Sequence, residues 1–365
     1  MSNARLQSVC VPAACPLHEA MRAMDAAGLG IFLVLDNERR LVGIVTDGDL
    51  RRAMLARQNT DITAGAFVEA KRNPVYPKPV TGRISDDTQS HLKLMRQRKL
   101  HHLPLLDSED RVADLIVMDD LLPKQSPPMR AVIMAGGLGT RLRPLTENTP
   151  KPMLPVGDRP LMERTLESLR GAGIRHVSLS TGYQADKVAE HFKDGRAFGV
   201  DLDYVTEDRP MGTAGALSLM AKPSEPLLVI NGDILTNVDY SAMLAFHQEQ
   251  EALLTVAVRK FEFNVPYGVI ECDGSRVNGL TEKPTYTSFV NAGIYLLDPG
   301  AFDYIPRPMP EGTRFNMTDL IQKLIDAKLT VAGFPIREYW LDIGQPADYE
   351  QAQADVRDGR YAQVA

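Results

Sequence analysis

The chain has 365 residues, enough for two or three domains and a sizeable core. Its 44% apolar and 24% charged residues are ordinary for a soluble globular protein; no apolar run approaches the ~20 residues of a membrane span, and the N-terminus lacks the apolar core of a secretory signal. The net charge is −6, with 17 Lys+Arg against 16 Asp+Glu in residues 1–128 and 24 against 31 in residues 129–365, so no global basic field is available to gather nucleic acid.

Three cysteines, Cys10, Cys15 and Cys272, are odd in number and lack metal-ligand spacing, which reads as reduced thiols in a cytoplasmic protein.

Residues 1–125 contain an internal repeat. IFLVLD (Ile31–Asp36) parallels HLPLLD (His102–Asp107), and LVGIVTDGDL (Leu41–Leu50) parallels VADLIVMDDL (Val112–Leu121), both at an offset of 71. Each copy, about 1–65 and 66–125, reads helix, strand, turn, strand, helix. Apolar spacing marks a helix over Met21–Ala27 in the first copy, and Leu92, Leu94 and Met95 supply one in the second. The arrangement resembles a tandem CBS domain pair, an α+β module that packs as a pseudo-dimer and often holds adenine nucleotides. The family pattern Gly-x-x-Thr/Ser-x-x-Asp falls on Gly43, Thr46 and Asp49, where the resemblance implies that the acid accepts bonds from a ribose. The second copy keeps Asp120 but has Asp114 and Val117 in place of the glycine and threonine, which puts a second nucleotide site in doubt. Two roles stay open: an adenine-nucleotide sensor using Thr46, Asp49 and Asp120, or a packing module of a homo-oligomer.

Residues 123–129, with Pro123, Pro127 and Pro128, read as a linker. From residue 130 strands alternate with helices, which predicts a Rossmann-like α/β domain with a mostly parallel sheet over residues 130–365. Predicted strands are 131–135, 174–180, 201–206, 227–231, 252–259, 267–272 and 290–297. Predicted helices are 160–171, 184–192, 213–221, 239–250, 316–327 and 346–357. In such sheets ligands gather at the carboxyl ends of the strands.

The first predicted strand runs into a glycine loop, Ala135, Gly136, Gly137, Leu138, Gly139, Thr140, followed by Arg141, Arg143 and Lys151. Glycines let backbone N–H groups approach phosphate oxygens, and the cations add fixed charge. The alternative is a tight turn alone. No Gly-Lys-Ser/Thr follows, so this is not a P-loop, and GLGTRL lacks the third glycine of the dinucleotide fingerprint, which weighs against a nicotinamide oxidoreductase. The whole string, AGGLGTRLRPLT and then PKPMLPV, resembles the opening signature of the sugar-1-phosphate nucleotidyltransferases, most of all their mannose-1-phosphate guanylyltransferase branch.

Later motifs fit that resemblance. Gly212, Thr213 and Ala214 lie in MGTAGAL, which in relatives contacts the base; Thr213 is also placed to cap the helix predicted to follow. LLVINGD ends a strand at Asp233, and YWLDIGQP carries Asp342; the resemblance implies that both bind Mg²⁺, an ion held by few carboxylates plus phosphate oxygens. Trp340, the lone tryptophan, reads as cover for the core. Gly268 in PYGVIE, Glu282 and Lys283 in TEKP, and Asn291 and Gly293 in NAGIYLLD resemble the family's sugar pocket. Lys283 is suited to hold a phosphate as a flexible point charge.

The implied reaction joins an NTP (GTP favoured) to a sugar 1-phosphate, giving an NDP-sugar and pyrophosphate. The nucleophile is already anionic and needs no general base, so catalysis is positioning plus electrostatics. Loop amides of Gly137–Thr140 with Arg141 hold the β- and γ-phosphates, Lys151 neutralises charge near the reacting centre, and Lys283 holds the incoming phosphate. Mannose 1-phosphate and glucosamine 1-phosphate stay open as the sugar. The rival is an inactive regulatory subunit that senses adenine nucleotides. After the helix predicted over 346–357 no hexapeptide repeat follows, so no β-helix half is expected.

Overall fold

The computed structural model describes residues 3–56, 58–71, 78–118 and 127–361. The chain separates into two compact units, Met1–Gln125 and Ser126–Ala365. Among the described residues no helix is long and apolar enough to cross a membrane.

In the first unit the repeat is structural. Strands β1 (Cys10–Pro12), β2 (Ile31–Leu35) and β3 (Leu41–Thr46) form one sheet; β4 (Gly82–Arg83), β5 (His102–Leu106) and β6 (Val112–Val117) form another. In each the first pair is parallel and the second antiparallel. Even the bulges correspond, at Val34/Leu35 and at Leu105/Leu106. The cause lies in matching turns. Asp36 accepts bonds from the amides of Glu38 and Arg40, and Asp107 from those of Glu109 and Arg111. Each turn is closed by a residue at φ 63°, Arg39 and Asp110. Helices Leu17–Ala27 and Thr88–Arg98 precede the hairpins, the first ending at Gly28 in the left-handed region. Leu6, Val9, Ile31, Leu33 and Leu35 of the first copy share a core with Val112 and Leu115 of the second.

The second unit is built on a seven-stranded sheet. In chain order its strands are β7 (Arg130–Met134), β10 (His176–Thr181), β11 (Asp201–Thr206), β12 (Leu227–Asn231), β14 (Leu254–Asn264), β17 (Thr285–Leu297) and β18 (Val331–Ile336). Three short two-stranded ribbons complete it: β8 (Pro155–Val156) with β9 (Arg159–Pro160), β13 (Ile234–Thr236) with β19 (Trp340–Asp342), and β15 (Val269–Asp273) with β16 (Arg276–Thr281). The spatial order is β11-β10-β7-β12-β17-β14-β18, and β17 alone runs against its neighbours. Period two sorts each strand between two layers. Ala131 and Ile133 face one core with helices Leu161–Gly171, Ala185–Phe192 and Tyr240–Glu249; Val132 faces the other with helix Met317–Asp326. Trp340 packs on the first core and donates its indole N–H to the Ala292 carbonyl at 2.8 Å, as its covering role requires.

Two expectations change. The segment 213–221 is not an α-helix but a 3₁₀ turn at Gly215–Leu219. The amides of Gly215, Leu217 and Met220 donate three residues back, the 3₁₀ pattern, and those of Ala214 and Gly215 also donate to the Phe315 carbonyl, which ties the turn to another segment. Strands β14 and β17 also outrun their predicted bounds, 252–259 and 290–297. They continue as a ribbon, pairing Lys260 with Phe289 through Asn264 with Thr285.

Candidate active site

Strand ends set the floor of the cleft. Past the end of β7, Ala135 N–H donates to Ser180 O at 2.8 Å, and Gly232 N–H to Met134 O at 2.9 Å. Three parallel strands therefore deliver their next residues side by side. Gly136 follows, so close to Glu207 that a Cβ there would stand 2.4 Å from Oε1. Glu207 also accepts from the Ser180 hydroxyl (2.8 Å) and the Met211 amide (3.0 Å). Gly139 takes φ 62°, and its carbonyl accepts from the Thr146 hydroxyl at 2.7 Å. The loop is thus held from both ends. Together with Lys151, Pro152, Pro210, Gly232, Asp233, Arg314 and Gly344 it walls a cleft of about 330 Å³. Ala135, Gly136, Gly137, Gly139, Thr140 and Arg141 all line it.

The two aspartates come together through β13 and β19. That antiparallel pair sets Ile234 opposite Asp342, and Ile343 N–H donates to Asp233 O at 2.9 Å. Lys151 Nζ lies 2.7 Å from Asp233 Oδ2, with only 12% of its side chain exposed. Arg141 Nη1, Asp342 Oδ1 and Asp348 Oδ2 lie 3.5–3.6 Å from the point where a Gly344 side chain would begin. Asp342 stands at the open rim, yet partial desolvation and the neighbouring Asp233 carboxylate push its carboxyl up to about 6 against the pull of Lys151 and Arg141. The two carboxylates crowd each other even with Lys151 and Arg141 beside them. Among the described residues no group of three or more His, Cys, Asp or Glu forms a metal cage. A pair of carboxylates at the mouth of a phosphate-sized cleft fits a hard divalent ion whose remaining ligands are phosphate oxygens and water.

The loop at Gly212–Ala214 is held differently from its prediction. Gly212 has φ 88°, and a Cβ would meet Phe315 O at 2.6 Å. The Thr213 hydroxyl accepts from Met317 N–H at 3.0 Å, so it caps the Met317–Asp326 helix rather than its own segment. Ala214 is fully buried in the second core. Gly212, Thr213 and Ala214 therefore shape the wall from behind; Pro210 reaches the cleft.

The sugar-motif residues are not among those that wall the cleft. Gly268 and Glu282 adjoin, with Glu282 Oε2 2.9 Å from a built Gly268 Cβ. Lys283 is exposed and holds φ 44°. Asn291 uses both ends of its amide: Oδ1 accepts from Gly293 N–H (3.0 Å), and Nδ2 donates to the Tyr295 hydroxyl (2.9 Å). Gly293, at φ 70°, lies against Asn231.

Several groups in or beside the cleft escape sequence reading. Arg314, distant in sequence from every motif, adds a third cation to the cleft. Glu207 follows β11 with no motif of its own. Asn231, inside LLVING, buries an Oδ1 that has no hydrogen-bond partner among the described residues. Asp348 alone has a local signal, the capping pattern Gln345-x-x-Asp348.

In the first unit Thr46 and Asp49 form a reciprocal helix cap, and Lys71 and Arg52 pair with Asp49. Despite desolvation, Lys71 and the Thr46 bonds hold the Asp49 carboxyl below its usual range. Asp120 lies outside the described residues.

Residues 130–359 match the family model described as Nucleotidyl transferase. The chain belongs to that family. Residues 5–56 match the CBS domain model. The nucleotidyl transferase unit is 34% identical over 231 residues to a mannose-1-phosphate guanylyltransferase of Mycobacterium tuberculosis, covering 62% of this chain and 64% of that one. It is 32% identical over 245 residues to a UTP–glucose-1-phosphate uridylyltransferase of Synechocystis, covering 61% and 62%. The chain thus spans somewhat under two thirds of the length of the curated relatives it matches. Among solved structures, a candidate glucose-1-phosphate thymidylyltransferase of Bacillus anthracis, in complex with a sucrose, superposes with a TM-score of 0.52 at 27% identity, over 63% of this chain and 96% of that one. The family and the mostly parallel sheet agree with the resemblance read from the sequence.

Proposed function

We propose that this chain makes an NDP-sugar and pyrophosphate from an NTP and a sugar 1-phosphate, with GTP favoured and glucosamine 1-phosphate or mannose 1-phosphate as acceptor. The observation that carries the reading is the convergence of Asp233 and Asp342, from segments more than a hundred residues apart, beside Lys151, Arg141 and the glycine loop. Close backbone donors, three cations and Asp233 in one cleft, with Asp342 at its rim, suit phosphate chemistry. The base is argued by likeness: mannose-1-phosphate guanylyltransferases are among the similar curated proteins, as is a uridylyltransferase, and a thymidylyltransferase is among the similar solved structures.

In this mechanism the loop from Gly137 to Thr140 and Arg141 grip the β- and γ-phosphates, and Arg314 faces the same anion across the cleft. Lys151, held in place by Asp233, neutralises phosphate charge near the reacting centre. Asp233 and Asp342 are the residues that would hold Mg²⁺, which supplies charge neutralisation across the reacting phosphates. Lys283 holds the acceptor phosphate, whose oxygen attacks the α-phosphorus while pyrophosphate leaves in line.

The test is pyrophosphate release with Mg²⁺ over four NTPs against glucose, mannose, glucosamine and N-acetylglucosamine 1-phosphates. A strong signal for GTP with mannose or glucosamine 1-phosphate is expected. A folded protein inactive over the whole grid would instead favour a regulatory subunit. Adding ATP or AMP to the active pair then tests the CBS module. The mutual bonding of Thr46, Asp49 and Lys71 supports a packing role for its first copy, and hence no response.

A further inference from the structure

Arg314 enters the cleft from a loop that has few donors of its own. It is carried by residues 305–316, between the 3₁₀ turn Pro299–Tyr304 and the helix Met317–Asp326. Pro308 and Pro310 have no N–H to give to the loop's carbonyls. One side chain from outside supplies the donors. Arg209 donates from Nη1 to Thr313 O (3.3 Å) and from Nη2 to Pro310 O (3.0 Å) and Met309 O (3.4 Å). A guanidinium presents five N–H donors in a fixed fork, enough for three acceptors at once. The Pro310 carbonyl also accepts from the Thr313 hydroxyl at 2.7 Å, so the turn is closed from inside and gripped from outside.

Arg314 comes next in the chain. On its far side Phe315 N–H donates to Met211 O at 2.8 Å, and Phe315 O accepts from the amides of Ala214 and Gly215. Arg314 is therefore bracketed: Arg209 bonds the carbonyl before it, and the backbone of residues 211–215 bonds the residue after it. Both brackets belong to one stretch, 209–215, whose Pro210 and Arg314 wall the same cleft. The Arg314 side chain is exposed and forms no hydrogen bond or ion pair among the described residues, whereas Lys151 is paired with Asp233. A cation without a partner, fixed at both neighbours, is placed to meet an incoming anion.

We propose that Arg209 is a positioning residue for Arg314, fixing the loop that presents this cation to the triphosphate. Arg209 is not among the residues that wall the cleft, so it acts through Arg314 and not on the ligand. The proposal rests on the reading of the cleft as a triphosphate site. It adds that the wall formed at Pro210 and the cation at Arg314 are one bonded piece, so neither is placed without the other. Removing Arg209 should therefore cost phosphate affinity only where Arg314 is present to be misplaced.

The experiment is calorimetric binding of inorganic tripolyphosphate and of GTP, with Mg²⁺, to the full chain. The wild type is compared with Arg314→Ala, Arg209→Met, Arg209→Lys and the double variant Arg209→Met with Arg314→Ala. Arg314→Ala should weaken both ligands roughly tenfold or more, the loss of one charge-assisted contact. Arg209→Met should bring most of that loss by itself, and Arg209→Lys, with fewer donors, should restore part of it. In the double variant Arg209→Met should add less than about a twofold loss, because no cation is left to position. A general loosening of the fold would instead cost affinity in either background and raise the acceptor KM in pyrophosphate release, and either result overturns the proposal. A wild-type chain that binds neither ligand overturns the triphosphate reading of the cleft, and the role of Arg209 with it. A wild type that binds both, with Arg209→Met harmless or its loss undiminished in the double variant, overturns the role of Arg209 and leaves that reading standing. So does Arg314→Ala with unchanged affinity, since there is then no contact to position.

Discussion

The cleft proposed for the nucleotide and the arm proposed for the sugar, the β14–β17 and β15–β16 ribbons, belong to one unit and are built on opposite terms. The cleft is fixed before any ligand arrives. Its glycine loop is pinned between Glu207 and Thr146, its lysine rests on Asp233, and its aspartates are joined through backbone bonds of β13 and β19. The arm is a ribbon two strands thick, its candidate residues Glu282 and Lys283 exposed. Charge stabilisation works best from groups that need no rearrangement when charge develops. An acceptor that must enter and leave is better served by a part that moves. Damage to the cleft should therefore appear in turnover and folding, and damage to the arm in acceptor affinity alone.

The sharpest form of that contrast is Asp233→Ala. Loss of a metal-holding carboxylate removes several kcal/mol of charge stabilisation, so turnover should fall by on the order of 10³-fold or more. The melting temperature should move by only a few degrees. Pyrophosphate release near the wild-type rate would break the metal assignment. Lys283→Ala comes next. Losing a charge-assisted contact of about 1.5–3 kcal/mol should raise the KM for the sugar 1-phosphate roughly 10- to 100-fold. The KM for the NTP and the melting curve should stay put. If both KM values rise together, the arm is not a separate acceptor element.

Gly212→Ala tests the cleft from behind. The positive φ and the 2.6 Å approach to Phe315 O leave no room for a Cβ. The expected cost is about 1–3 kcal/mol, a drop of several degrees in melting temperature. The KM for the NTP should rise a few-fold, with the acceptor KM unchanged. A stable variant with normal kinetics would show that the base loop does not depend on this turn.

The sheet was legible because Ala131–Met134 and Leu227–Asn231 are apolar runs too short for helices and bounded by glycine. The aspartates were legible because each closes a strand with a motif around it. What stayed hidden was long-range. Nothing near Thr213 says that its hydroxyl serves the Met317 amide, and nothing near Ala214 and Gly215 says that their amides bond to Phe315. Those partners are a hundred residues away, so a local pattern read a helix where tertiary bonds made a turn. Arg314 was missed for the same reason: it enters the cleft because Phe315 is tied to the base loop. The bonds that orient the Asn291 amide, from Gly293 N–H and to the Tyr295 hydroxyl, cross a break in strand register that no spacing rule announces.

The smallest effect concerns acid. Asp342 is raised to about 6 by partial desolvation and Asp233, with Asp348 adding to the push and Lys151 and Arg141 opposing it. A raised carboxyl means that the folded chain keeps a proton the unfolded chain has released. The contribution of Asp342 to metal-free stability is therefore most favourable below about pH 4, declines as pH rises towards 6, and carries its full penalty above it. Mg²⁺ relieves the crowded carboxylates, so 5 mM Mg²⁺ (a trial concentration of about that order) should raise the melting temperature more at pH 7.5 than at pH 5. The half-saturating Mg²⁺ concentration should climb up to about tenfold per unit below pH 6, because one proton competes with the ion. In Asp342→Asn the competing proton is gone and the slope below pH 6 should flatten, even where Mg²⁺ binds weakly. An equal Mg²⁺ shift at both pH values would mean that the ion does not rest on Asp342, and the arrangement of β13 and β19 would need another reason.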